Sequence, residues 1–479
     1  MSRPTTVPQP TRPGPQTRLS VQLPRVSLPL RRFLVTEAGG GLVLLVATVA
    51  ALIWANVPGG GYDALWSTEA SIRVGNAEIT WDLRHWVNDA AMVIFFLVVG
   101  LEISRELTVG ELRNRRSVIV PAFGAIGGLA LPALLYFTLN PTGPAAYGWG
   151  IPMSTDTAFL VGILALFGPR CPDQLRLFLL TLAIVDDIGA ITVLALFYTD
   201  GVRVWGLLAA AVFVAALTVL RWARVWQLRA YVLVGIGLWA AVYASGLHPT
   251  LAGVLLGLLV PATLVEPGQR ERLRFYGRAV IEQPDPERVR LANSAARATV
   301  PANDRLQDAL HPVSAFIVVP LFGLANAGVR LDGDTLRQAL TSHVTIGIVV
   351  ALLVGNTVGI SGTTAIALWA RLGDLPGRVR YGHLIGGAIL AGIGFTISLF
   401  ITDLAFPDPS LHQQAQIGVL TGSLLAAVLG SLALRYLGER LPLCTIDNDA
   451  SLPTLPAGPW LDPTQAVAST PDGLPEATA

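Results

Sequence analysis

The chain has 479 residues, 52% of them hydrophobic and 14% charged, with a formal net charge of +1 and a mean hydropathy of +0.58. Soluble globular proteins carry about 25% charged residues, so this chain is short of the polar surface such a protein needs. Neither its charge nor any basic–aromatic pattern points to nucleic acid. Repeated apolar runs of about 17–25 residues, the length that crosses ~30 Å of hydrocarbon, predict an all-α polytopic membrane protein.

Residues 1–33, rich in Pro, Thr and Arg, read as a disordered tail. A Pro-rich tract precedes the first apolar run and no small-residue cleavage site follows it, so this is not a cleavable signal. A domain over 34–440 then holds twelve expected spans, near 38–57, 87–104, 117–139, 147–168, 174–198, 203–221, 229–246, 248–264, 310–329, 344–370, 381–403 and 412–437. Between the first two, in a segment of about 58–86, "SIRVGNAEITW" alternates around Gly75-Asn76 and reads as a β-hairpin or, failing that, an ordered loop. "SGLHPT" separates the seventh span from the eighth, and Gly246 and Pro249 argue for a tight turn there. An arginine-rich loop of about 265–309 follows the eighth, and residues 441–479 form a second disordered tail.

All 33 basic residues are Arg; the chain has no Lys. Arginines crowd the N-terminal tail and every second loop: Arg105, Arg113, Arg115 and Arg116; Arg170 and Arg176; Arg221, Arg224 and Arg229; Arg270 to Arg305; Arg371, Arg378 and Arg380. The intervening loops are poor in Arg, and "NPTGPAAY" has no charge. By the positive-inside rule both termini face the cytoplasm. Cys171 and Cys444 then fall on the reducing side, unpaired, and neither belongs to a metal-ligand cluster.

Three spans depart from a plain apolar helix. In the fifth, "LAIVDDIGAI" sets Asp186 and Asp187 among Leu, Ile, Val and Ala. One Asp at a helix centre costs roughly 2.5–3.5 kcal/mol on insertion, so the pair demands a functional return. In the fourth, Pro152 is followed by Ser154, Thr155, Asp156 and Thr157. Non-helical backbone at membrane depth survives only inside protein or beside a wet cavity, which suggests an interrupted helix with Asp156 near the break. The alternative is an N-cap near the membrane surface. In the eleventh, Gly386, Gly387, Gly392 and Gly394 weaken the helix beside Thr396; such glycines otherwise serve close packing. Spans 3–5 and 10–12 would form inverted repeats, with helices 4 and 11 discontinuous and crossed. Paired interruptions of this kind point to a transporter's central site.

The motifs "WVNDAAMVIFFLVVGLEISREL", "GWGIPMSTDTAF", "LAIVDDIGAI", "SGLHPTLAGVLLGLLVP", "LHPVSAFIVVPLFGLANAGV" and "LAGIGFTISLFI", in that order over about residues 37–437, together resemble the NhaA family of bacterial sodium–proton antiporters. The resemblance implies export of Na⁺ or Li⁺ from the cytoplasm against entering H⁺ across the bacterial inner membrane, in the service of pH and sodium homeostasis. It implies cation binding at Asp187, coupling at Asp186, and support from Thr155 and Asp156, with Pro152, Gly392, Gly394 and Thr396 shaping the broken helices. Glu102, Glu106 and His311 match positions for activation by pH at the cytoplasmic side, and His248 also matches the family. The plain readings are membrane-edge residues for the first three and an interfacial helix start for His248. A homodimer through the external hairpin is a further expectation; no cofactor is implied.

One departure stands out. Where the family places a Lys in the tenth span, "LLVGNTVGISG" has Asn356, and that span has no Arg either. An amide can donate hydrogen bonds to Asp186 but cannot balance its charge. Successive helix residues point about 100° apart, so Asp186 and Asp187 are both expected to reach a central cavity, though not as a symmetric pair. Hard cations favour such oxygen donors, and Na⁺ and protons would compete for them. Two other readings remain: a transport-deficient sensor or scaffold of the same fold, and an intramembrane aspartyl protease. Against the latter, no "GxGD" lies in an expected span, Asp334 falls in an external loop, and adjacent aspartates do not flank a peptide bond from opposite sides.

Overall fold

A computed structural model describes residues 37–440, except 75–76, 111–114, 167–172, 200, 224, 226, 263–266, 374, 376–378 and 380. Both expected tails, Cys171, Cys444 and the Gly75-Asn76 turn therefore lie outside the described residues.

Helix α1 (Glu37–Asn56) leads through the short α2 (Tyr62–Trp66) into an antiparallel hairpin of β1 (Glu69–Val74) and β2 (Ala77–Asp82), with Ile72 opposite Ile79. The alternating stretch is thus a hairpin rather than a plain loop. Trp81 of β2 packs edge-on against Trp239 and Tyr243, which fastens the hairpin to a neighbouring helix. Asp82 then caps α3 (Leu83–Thr108) by accepting the His85 N–H at 2.7 Å.

The remaining helices are α4 (Arg115–Leu139), α5 (Thr157–Leu166), α6 (Asp173–Phe197), α7 (Val204–Trp222), α8 (Leu228–Ser245), α9 (Thr250–Leu259), α10 (Pro267–Glu282), α11 (Pro286–Ala298), α12 (Ala302–Asn326), α13 (Gly333–Thr341), α14 (His343–Trp369), α15 (Tyr381–Leu390), α16 (Phe395–Ala405) and α17 (Pro409–Arg440). Among the described residues nine helices are long and apolar enough to cross a membrane, or ten if the bent pair α15–α16 is one span.

The two other expected spans are short. The eighth is the ten-residue α9, which ends where Val260 turns extended ahead of Pro261. The fourth divides into a 3₁₀ segment Pro144–Met153, an extended stretch and α5. Three long helices also carry a π-helical turn: Val87–Ala91 in α3, Ser314–Val318 in α12 and Ala351–Gly355 in α14. Such turns re-aim side chains and recur at functional sites.

Helices pack closely where side chains vanish. A Cβ on Gly127 of α4 would run into the Gly359 carbonyl oxygen of α14, so the two backbones meet there. Outward faces carry exposed residues such as Val212, Val219 and Leu233, as a lipid-facing surface requires. On the hairpin side, the Tyr62 hydroxyl lies 2.8 Å from the carbonyl oxygens of Leu324 and Ala325 and accepts the Gly328 N–H at 3.1 Å, tying α2 to the end of α12.

Candidate ion-binding site

Two interrupted helices meet at the centre. Pro152 has no N–H to give, and after Met153 the chain runs extended through Ser154 and Thr155 before α5 begins. Opposite, residues 391–394 separate α15 from α16, which are bent by 45°. The two breaks are stitched together: Asp156 N–H donates to the Ile393 carbonyl at 2.5 Å and Thr155 Oγ1 to the Ala391 carbonyl at 2.8 Å. Ser398 Oγ donates to the Ile151 carbonyl at 2.6 Å. The Ile151, Ala391 and Ile393 carbonyls are thereby satisfied across the crossing. Gly392 and Gly394 allow the approach. A Cβ on the first would strike the Leu352 carbonyl, and one on the second would lie 2.8 Å from the Ser154 carbonyl.

Asp156 sits between two helix starts. Its Oδ1 accepts the Phe159 N–H of α5 at 3.1 Å and its Oδ2 the Thr396 N–H of α16 at 3.0 Å. Each helix N-terminus carries a partial positive charge of about half a unit, so one carboxylate offsets two such ends.

Asp186 and Asp187, both buried on α6, are turned to different tasks. Asp186 Oδ2 accepts the Thr155 N–H at 2.8 Å, which anchors the extended stretch to α6. Asp187 lines a cavity together with Thr155, Asp156 and Thr396, and its Oδ1 is buried without a hydrogen-bond partner among the described residues. Asp186 is not part of that lining: contrary to the expectation that both aspartates reach the cavity, its carboxylate is turned to the Thr155 N–H instead.

Asn356 also departs from expectation. Its Nδ2 donates to the carbonyls of Leu352 at 3.3 Å and Pro152 at 3.5 Å rather than to Asp186. The 3₁₀ segment ends right after Pro152, which leaves that carbonyl in need of a donor.

Glu102 and His311 line the same cavity, as does Ser314 of the α12 π-helical turn. Glu106, one turn beyond Glu102, is not among the lining residues. Gly40, His311 and Ala315 also border a wider depression lined by Arg105, Arg297, Asp304 and Arg305, so the two lie side by side. The buried rings of Phe96, Phe322 and Phe400 pack together, with Phe400 5.4 Å from Phe96 and 6.4 Å from Phe322.

With this geometry in place, similarity to known proteins decides the family. The family model described as Na⁺/H⁺ antiporter 1 matches residues 31–434. A Na⁺/H⁺ antiporter NhaA 3 of Frankia alni is 62% identical over 96% of this chain and 99% of its own length. The chain belongs to the NhaA family of Na⁺/H⁺ antiporters. An NhaA 1 of Mycolicibacterium gilvum is 44% identical over 88% of this chain and 68% of its own length, and an NhaA of Janthinobacterium 42% identical over 86% and 94%. Membership in the NhaA family makes the protein a multi-pass membrane transporter with Na⁺ and H⁺ as its ions, not an enzyme, and removes the protease reading.

The NhaA-family fold also gathers a polar cluster that the sequence hid. His248 lies at the hairpin end, its Nδ1 3.6 Å from Asp89 Oδ1, while His85 Nε2 lies 2.8 Å from Asp89 Oδ2. Asn88 donates to Asp403 Oδ2 at 2.9 Å and exchanges hydrogen bonds with Asn326. Asp89 and Glu102 are thirteen residues apart on α3, about 20 Å, so His248 lies toward the opposite end from Glu102. The sequence signal was "WVND", two polar residues opening an apolar helix.

Proposed function

We propose that this protein exports Na⁺, or Li⁺, from the cytoplasm in exchange for entering H⁺, with Asp187 holding one ion or the other. The observation that carries the reading is the buried, unpartnered Asp187 oxygen facing a cavity beside two helix breaks. A buried carboxylate oxygen without a donor is costly, and a proton or a hard cation would supply what the protein does not. Asp187 supplies the negative oxygen; the Thr155 hydroxyl and backbone carbonyls freed by the breaks are neutral oxygens close by. Asp156 fixes both helix starts around them, and Asp186 holds the extended stretch in place.

Protons and Na⁺ exclude each other on one carboxylate. A carrier that switches sides only when that group is occupied therefore exchanges them. Apparent Na⁺ affinity should fall as the pH falls, because the carboxylate must be deprotonated to bind. The stitched breaks support a twelve-span reading with inverted repeats of spans 3–5 and 10–12, both termini in the cytoplasm of a bacterial inner membrane. Glu102, His311 and, one turn further out, Glu106 stand along the open approach, where charge would tune access with pH. The exposed hairpin suits pairing with a second copy.

Asn356 bears on stoichiometry. With no cationic side chain in its place, the aspartates carry coupling alone, and we infer that exchange persists with altered stoichiometry or pH range. Purified protein in proteoliposomes tests the whole reading: Na⁺-dependent proton release should appear in the wild type and vanish in Asp187→Asn. Transport by the variant equal to wild type would sink it. Absence of transport in the wild type would favour a sensor or scaffold of the same fold.

A further inference from the structure

The bonds around Asn88 are not used by the ion site, yet they tie together helices on either side of it. Asn88 stands in the π-helical turn of α3, where Trp239 Nε1 donates to the neighbouring Asp89 carbonyl at 3.1 Å. Its Nδ2 donates to Asp403 Oδ2 of α16 at 2.9 Å and to Asn326 Oδ1, at the end of α12, at 3.3 Å. Asn326 Nδ2 returns a bond to Asn88 Oδ1 at 2.8 Å and gives another to the Phe322 carbonyl at 3.0 Å. Gln416 Nε2 of α17 donates to the Asn326 backbone carbonyl at 3.0 Å. Both amide hydrogens of Asn88 and of Asn326 are thus used, and four helices share one set of bonds.

Asn88 and Asn326 are each 3% exposed and Gln416 7%. Apolar side chains of similar volume would pack such a joint at little loss of stability. They would not part as readily. Amides and a carboxylate exchange their mutual bonds for bonds to water, whereas separated apolar surfaces find no such substitute. The joint is suited to opening, unlike the bonds that stitch the two breaks together in the interior.

Its place fits that use. On α3 the cavity beside Asp187 is lined by Phe95, Val98, Val99 and Glu102, and no member of the Asn88 network lines it. Asn88 precedes Phe95 by seven residues, about 10 Å along the helix and toward the hairpin. Helix α16 belongs to the crossing of the breaks, whereas α3 and α12 do not. The bond from Asn88 to Asp403 spans that division.

We propose that Asp403 is a positioning residue for the far-side step of exchange: acting through Asn88 and Asn326, it latches α16 to α3 and α12 and keeps the cavity shut toward the hairpin. This role rests on the exchange reading above, yet the latch is measurable without transport.

The test uses the full-length chain with Cys171→Ser, Cys444→Ser and, in the cavity wall, Val161→Cys. A membrane-impermeant maleimide is added to intact cells and to inverted membrane vesicles. A parallel sample with Arg73→Cys, on the exposed hairpin in place of the cavity cysteine, marks which preparation presents that side. Asp403→Ala should raise labelling at position 161 from the hairpin side about fivefold and leave labelling from the other side no higher. Asp403→Asn keeps an acceptor oxygen for Asn88 and should match the parent. Gln416→Ala removes one bond and should give a rise of about twofold, which reads the latch even where Asp403→Ala does not fold. No rise from the hairpin side in either alanine variant would overturn the proposal. So would equal rises from both sides, the mark of a loosened bundle. A parent that shows the expected pattern but moves no Na⁺ would sink the exchange reading and not the latch.

Discussion

Asp156 opens α5, yet its carboxylate also caps α16 through the Thr396 N–H at 3.0 Å. One residue therefore holds two interrupted helices in register. Replacing it with Asn keeps one acceptor oxygen and turns the other into a donor facing an N–H. Asp156→Asn should lose about 1–2 kcal/mol of stability and weaken Na⁺ binding, while the protein still inserts and folds. Thermal melting in detergent and the KM for Na⁺ measure the two effects separately.

The two aspartates of α6 should separate in mutagenesis. Removing the negative charge at Asp187 should cost about 3 kcal/mol or more of cation binding, roughly a hundredfold in affinity. Asp186→Asn leaves an oxygen for the Thr155 N–H and should slow exchange without abolishing it. Na⁺-dependent proton release in proteoliposomes gives the order; equal losses for the two variants would contradict the geometry.

Asn356 bears on the electrical character of the cycle we propose. With no charge in its place, exchange rates should not respond to an imposed membrane voltage. Asn356→Lys should introduce a response, since a titrating amine would then sit beside the break at Pro152. Transport assayed under potassium diffusion potentials reads both.

Gly392, between α15 and α16, comes close to α14. A methyl group there collides with the Leu352 carbonyl, so Gly392→Ala should cost about 1–3 kcal/mol and depress transport. Gly333 has nothing within reach of an added Cβ, and Gly333→Ala should be silent in the same assays.

Tyr62 offers a test outside the membrane helices. Burial pushes its phenol up to about 12, above the value near 10 of an unfolded chain. Its contribution to stability should be complete below about pH 10 and disappear as pH rises through the folded value. Tyr62→Phe should cost about 1–3 kcal/mol at neutral pH, because the Gly328 N–H loses its acceptor, and should remove the alkaline loss. Melting curves across that range decide.

Much of this was legible from residue order because membranes punish polar atoms. Asp186–Asp187, the Pro152-to-Asp156 cluster and the glycines before Phe395 all announced themselves against an apolar background. What stayed hidden depends on direction rather than composition. Sequence does not say which of two neighbouring aspartates turns to the cavity. Nor does it say that the Asn356 amide serves the Pro152 carbonyl. The π-helical turns have no signature, since one extra residue in a turn leaves hydrophobicity unchanged. His248 could be singled out, but its partner Asp89 lies 159 positions earlier in the chain and only the fold joins them. The eighth apolar run reads as longer than α9 because apolar residues continue past Val260; Pro261, ahead of which the helix ends, is a local signal easily outweighed by the run around it.

The bonds from Thr155 and Asp156 to Ala391 and Ile393 have a mechanical consequence. Neither interrupted segment slides past the other without breaking those bonds in a dry interior, so the two travel as one body. In the exchange we propose, exposing Asp187 to the far compartment would require that body to move against α3 and α12. Phe400 belongs to that body and Phe96 and Phe322 to α3 and α12, so such a movement would change the separations of the three rings.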